Sequence, residues 1–123
     1  MTKHDLQKRT QQFHINVIKL CGSFSKNVAG FEIAKQLIRS AGSVGANYRA
    51  ACRGKSKANF IYKIEIVVEE ADESQYWMTV AKEALLIPSS ADIDFLIKEA
   101  NELVSIFTAI AITSKKNKDA SQK

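Results

Sequence analysis

The sequence predicts an all-α protein, an antiparallel up-down-up-down four-helix bundle. Three observations carry that expectation. Apolar residues recur every three to four positions through most of the chain. The chain holds one proline, Pro88, and only five glycines, too little punctuation for a β-rich fold. The breaks between apolar stripes are short, which makes consecutive helices neighbours. With 123 residues there is room for a single domain, large enough to fold without disulfide or metal staples.

Helix 1 is expected from about Asp5 to Phe24. At 100° per residue, Phe13, Val17, Leu20 and Phe24 fall within about 40° of Leu6, with Cys21 at the flank. The segment from Ser25 to Gly30 is a short connection. Helix 2 follows from about Phe31 to Arg53, with Ala34, Leu37, Ala41, Val44, Gly45, Tyr48 and Cys52 on its apolar side. Gly54 stands where a helix-ending glycine is expected, and Ser56 is placed to cap the next helix. Helix 3 runs to about Leu86, with Phe60, Ile64, Val67, Ala71, Ser74, Met78 and Leu85 on one face. Pro88 ends that pattern. Ser89-x-x-Asp92 reads as the capping-box start of helix 4, whose core face is Leu96, Ala100, Leu103, Phe107 and Ile110. Residues 115–123 carry no apolar anchor and are expected to form a disordered basic tail, leaving 1–114 as the bundle.

Several function classes are excluded. No stretch approaches the roughly 20 apolar residues of a membrane span, and the polar N-terminus is no signal peptide. The expectation is a cytoplasmic protein with no membrane partner. Cys21 and Cys52 are isolated within apolar patterns, which reads as two reduced core thiols; a disulfide joining the first two helices stays open but is unneeded. The histidines, His4 and His14, both lie near the start, and neither follows a glutamate by three residues as an inward-facing di-metal site requires. No metal, cofactor or small-molecule substrate is expected. One enzymatic thread is the spacing Arg9-Thr10-Gln11-Gln12-Phe13-His14. It matches the loose Arg-x4-His pattern of helical-bundle ribonucleases, where histidine moves a proton and arginine stabilises phosphate charge. Two residues at that spacing arise easily by chance, and the expectation is a non-enzyme.

The informative feature is charge. Between Lys35 and Lys63 there is no acidic residue, while Lys35, Arg39, Arg49, Arg53, Lys55, Lys57 and Lys63 are basic. On a helical wheel Lys35, Arg39, Arg49 and Arg53 share an arc of about 80°, opposite the apolar face. Gly42 and Ala46 lie between them, so the surface there is low. The glycines at 42 and 45 each cost roughly 1 kcal/mol against alanine in a helix, which points to close packing or a kink. Net charge is +5, mildly favouring a polyanionic partner.

Three readings of this face stay open. It is a phosphate-binding footprint; or it meets the acidic stripe Glu65, Glu69, Asp72, Glu73 and Glu83 of helix 3 on a neighbouring subunit; or it is a solvated face. Ile66 and Trp77 on helix 3 and Phe95 and Ile106 on helix 4 lie off the expected core faces. They are candidates for an oligomer interface, unless the core face is simply wide.

The stretch from Gln36 to Ala51, then Ser56-Lys57-Ala58-Asn59-Phe60 and Glu70-Ala71-Asp72-Glu73-Ser74-Gln75-Tyr76-Trp77, resembles the bacterial four-helix-bundle family of 23S rRNA intervening-sequence proteins. Leu37, Arg39, Ser43, Val44 and Asn47 occupy its hallmark positions. Many relatives follow the asparagine with Ile-Ala-Glu-Gly, whereas this chain reads Tyr48-Arg49-Ala50-Ala51, so no role of that glutamate transfers. The resemblance implies a four-helix bundle, commonly a ring-shaped homopentamer, with no known enzymatic activity. A distant relative, the accessory protein of diversity-generating retroelements, is a basic pentamer that binds reverse transcriptase and nucleic acid. Ser43 and Asn47 are marked as structural-motif residues. Asn47 is read either as a buried polar group bonded to a neighbouring helix or as a contact to a partner. The functional expectation is an oligomeric scaffold associated with nucleic acid, RNA first. Arg39, Arg49, Arg53, Lys55 and Lys57 would contact phosphate, with Lys35 and Lys63 in support. The alternative is a protein-binding accessory subunit that docks a polymerase.

Overall fold

The computed structural model describes residues 1–121. Four helices follow one another, α1 (Lys3–Cys21), α2 (Val28–Cys52), α3 (Lys57–Glu83) and α4 (Ala91–Ser121), with no strand among the described residues. Contact partners rise in number on one helix as they fall on the next. Gly45 abuts Thr10 and Gly42 abuts His14, while the Cys21 thiol reaches Ala34 O. Ser40 meets Ser74, Lys82 meets Asp94 and Lys115 meets Glu65.

The helix starts obey the capping rules, although not always at the expected residue. Thr2 and Asp5 form a capping box that starts α1 earlier than the apolar pattern does. Asn27 caps α2 by accepting a hydrogen bond from Gly30 N at 2.8 Å, so the helix begins inside the expected connection. Ser56 caps α3 as expected. At α4 it is Ser90, not Ser89, whose hydroxyl accepts from the first turn, at Ile93 N.

Helix α3 ends at Glu83, before Leu86. Leu86 N donates to Ala81 O and Leu85 N to Lys82 O, the paired bonds of a Schellman end. Its left-handed residue is Leu85, at φ 59°, with a side chain 81% exposed, not the core residue the periodicity implied. A left-handed leucine costs about 1–2 kcal/mol, partly offset in a glycine by the freer unfolded chain. Leu85→Gly is therefore expected to raise stability by roughly 0.5–1 kcal/mol, read as a higher midpoint in urea denaturation; a lower midpoint would contradict this account.

The core follows the expected faces. Phe13, Val17, Leu37, Val44, Ile64, Val67, Met78, Leu103 and Phe107 are buried. The pattern missed Ile61, Ala81, Ile93 and Ala111, and although it placed Ser74 on the core face of α3 it missed the partner: Ser40 and Ser74, both inaccessible, share a hydrogen bond of 2.9 Å. Each hydroxyl also lies against a backbone carbonyl of its own helix, Leu37 O and Glu70 O, so the pair is satisfied inside an apolar core. Cys21 and Cys52 are free and half-buried. Burial pushes the Cys21 thiol up to about 11, which keeps it unreactive.

The expected tail is helical instead. α4 runs on through Ser121, held by the Lys115–Glu65 pair at 3.1 Å and by the buried Ala111 and Ser114. Helix propagation adds one hydrogen bond per residue once a nucleus exists, so a polar extension of a packed helix needs no apolar anchor of its own. Gln122 and Lys123 lie outside the described residues.

Candidate nucleic-acid interface

The α2 cations project outward together: Lys35, Arg39, Arg49 and Arg53 are all exposed. Arg39 is not free, however. Its guanidinium bonds Glu73 and Glu70 of α3 in the same subunit. The acidic and basic stripes thus meet at this point within one chain, because α2 and α3 pack side by side and an arginine can bridge their rims. The electrostatics divide unevenly between the two acids. Burial raises both, but the bonds from Arg39 and Trp77 leave the Glu73 carboxyl below its ordinary value. At Glu70 burial prevails over the longer Arg39 contact and leaves it above.

Lys35, Arg49, Arg53, Lys55, Lys57 and Lys63 have no ion pair among the described residues. All are exposed except Lys63, which is half-buried. The fold then adds cations that the sequence reading did not group with them. Lys8 faces Arg49 across a cleft between α1 and α2. Because α4 stays helical, Lys115 and Lys118 come to lie beside Ala58 and Tyr62 on the first turns of α3, close to Lys57. The start of α1, the end of α2, the loop after it, the start of α3 and the end of α4 carry Lys3, Lys8, Arg49, Arg53, Lys55, Lys57, Lys63, Lys115, Lys116 and Lys118, with Asp5, Glu65 and Asp119 among them. The remaining described surface is net acidic. The basic feature is a pole of the bundle as much as a ridge of one helix.

The cleft at this pole has a volume of about 520 Å³ and is lined by His4, Gln7, Lys8, Thr10, Gln11, His14, Gly42, Gly45, Ala46 and Arg49. No carboxylate lines it. The two glycines explain themselves here. A Cβ at Gly42 would stand 2.9 Å from the His14 ring, and one at Gly45 would stand 3.3 Å from the Thr10 hydroxyl. Their absence lets α1 settle closely against α2. The His14 Nε2 is enclosed and finds no hydrogen-bond partner.

The ribonuclease-like pair does not converge. Arg9 grips Glu99 through a fork, Nε to Oε2 at 2.7 Å and Nη2 to Oε1 at 2.6 Å, and also meets Glu102 at 2.9 Å. That clamp joins α1 to α4, whereas His14 faces α2. Residues five apart sit about 140° apart on a helix, so the two cannot address one phosphate. Among the described residues no cluster of metal-ligating side chains is present, and no helix is long and apolar enough to cross a membrane.

The four interface candidates divide. Trp77 packs partly against the core and its Nε1 donates to Glu73; Ile106 also packs against the core. Ile66 is half-buried. Phe95 is 61% exposed, beside a second cleft between α1 and α4. Asn47 is not bonded to a neighbouring helix: its side-chain amide donates to Ser43 O in its own helix at 2.9 Å.

The fold and sequence have known counterparts. No curated protein matches the chain. A solved structure of an S23 ribosomal protein family member of unknown function, from Bacteroides thetaiotaomicron, superposes with a TM-score of 0.80 at 25% identity. The match covers 90% of this chain and 98% of that one. The model of the 23S rRNA-intervening sequence proteins matches residues 2–109. That span contains all of α1, α2 and α3, most of α4 and most of the basic pole, and the chain belongs to this family of 23S rRNA-intervening sequence proteins.

Proposed function

We propose that this chain is a non-enzymatic scaffold associated with nucleic acid, RNA first, whose antiparallel up-down-up-down bundles assemble into a homo-oligomeric ring in the cytoplasm. The observation that carries the reading is the basic pole. Five cations from α2, the following loop and α3, unpaired among the described residues, are joined there by Lys8 of α1 and by the lysines that end α4. Cations without carboxylate partners are available to displace counterions from a phosphate backbone. The family's name, with its reference to 23S rRNA, favours RNA among polyanions. The opposed contact order of successive helices supports the antiparallel topology.

Replacing Arg49 and Arg53 together by alanine is expected to weaken RNA binding about tenfold at low salt and to lower the slope of log affinity against log salt by roughly one to two. A titration at two or more salt concentrations reads both. Unchanged affinity and slope would remove the assignment. Arg39→Ala is expected to move binding much less, because Glu70 and Glu73 already hold that charge.

A protein-docking role is the second reading. It is favoured by Tyr62 and Tyr76, 61% and 59% exposed on α3, with the exposed Glu69 and Asp72 between them in sequence. Exposed tyrosines are enriched at protein interfaces. A chain that stayed inert toward RNA at low salt would leave this reading in possession.

A further inference from the structure

We propose that the α1–α2 cleft at the basic pole seats one unstacked nucleotide of a single-stranded nucleic acid. The proposal rests on the polyanion reading and adds to it a strand preference that charge alone does not give. Phosphate attraction to scattered lysines treats single and double strands alike apart from charge density. A preference for single strands needs a place where a base can leave the stack and be held.

The cleft has the required parts. Its walls carry the cations Lys8 and Arg49, neither paired with a carboxylate among the described residues. Its floor is low at the exposed Ala46, which presents only a methyl group, while Gly42 and Gly45 beside it are overlain by His14 and Thr10. A flat ring can lie against such a floor, and a planar guanidinium such as that of Arg49 can stack on a base. Gln7 and Gln11 bring amides, each able both to donate to and to accept from a base edge. The His14 ring forms part of the wall. A volume of about 520 Å³ admits a nucleotide unit, while a cleft between two adjacent helices is too narrow for a duplex to enter. The arrangement also gives a function to the unusual pair of glycines within one helix. They bring α1 close, with His14 seated over Gly42 and Thr10 over Gly45.

Ala46→Leu tests the proposal. Ala46 is exposed on the floor, leucine is nearly as good a helix former as alanine, and the change fills the cleft without altering charge. Fluorescence anisotropy would follow a labelled single-stranded RNA and a blunt duplex of the same length, with circular dichroism checking the fold. The wild-type chain is expected to bind the single strand more tightly. Ala46→Leu is expected to lose about tenfold in single-strand affinity while duplex affinity stays unchanged. Arg49→Lys, which keeps the charge but not the planar group, is expected to show the same selective loss, a few-fold in size. Equal wild-type binding to both forms would overturn the cleft proposal while leaving the polyanion reading intact. Undiminished single-strand binding by Ala46→Leu would do the same. Absence of wild-type binding to either RNA would overturn both.

Discussion

Phe107→Ala is expected to cost about 3–5 kcal/mol, among the largest losses available from a single side chain in this bundle. Phe107 is inaccessible to solvent and stacks edge-on against Tyr48, with ring centroids 5.0 Å apart and planes inclined by 62°. Truncation removes the transfer energy of the ring and leaves a cavity among helices that are pinned elsewhere and cannot close over it. It also discards an aromatic pair worth about 0.5–1.5 kcal/mol beyond burial. Tyr48 lies one residue before Arg49, so the same loss would loosen the support of the α2 cations. Denaturation in guanidinium reads the stability, and RNA titration below the transition reads the coupling. A loss under about 1.5 kcal/mol would mean that the contact is not the centre of the core at this pole.

Gly30→Ala is expected to cost about 2–4 kcal/mol, a large effect for one methyl group. A Cβ at Gly30 would lie 1.9 Å from Ser25 O and 2.9 Å from Ser25 C. Those are backbone atoms, and they have nowhere to go. Ser25 is fastened to the far loop through Leu86 O, which accepts from Ser25 N at 2.7 Å and from its hydroxyl at 3.1 Å. Relief of the overlap must break that link or pull Gly30 N away from Asn27, its capping partner. Loss of the cap alone is worth about 0.5–2 kcal/mol. By contrast, Ala46→Leu on the same helix is expected to leave stability nearly unchanged, because position 46 is exposed. Urea denaturation of the two variants separates the cases. A Gly30→Ala protein within about 0.5 kcal/mol of wild type would show that the loop moves freely.

The clustering of apolar residues on Phe13, Val17, Leu37, Val44, Ile64, Met78, Leu103 and Phe107 was legible because helical periodicity is a local property, readable without knowing any neighbour. Ser40 and Ser74 were not legible as a bonded pair. Ser74 falls on the apolar face of α3, but a serine declares nothing about its hydrogen-bond partner until a second hydroxyl from another helix is placed against it. Leu85 misled for the opposite reason. It fits the apolar period of α3, but the chain turns left-handed at that residue and turns the side chain out.

The same division runs through the candidate site. The outward arc of Lys35, Arg39, Arg49 and Arg53 follows from spacing along one helix, and the sequence determined it. So did the cap at Ser56 and the four-helix content. Which of those charges remain available depends on what stands beside them, and only the packed structure decided that. Glu73 and Glu70 take up Arg39. Glu99 and Glu102 take up Arg9, separating it from the chemistry its spacing with His14 had implied. The end of α4 brings Lys115 and Lys118 to the start of α3. A charge pattern along a helix is set by its own rotation per residue, whereas neutralisation falls off over a few ångströms through space.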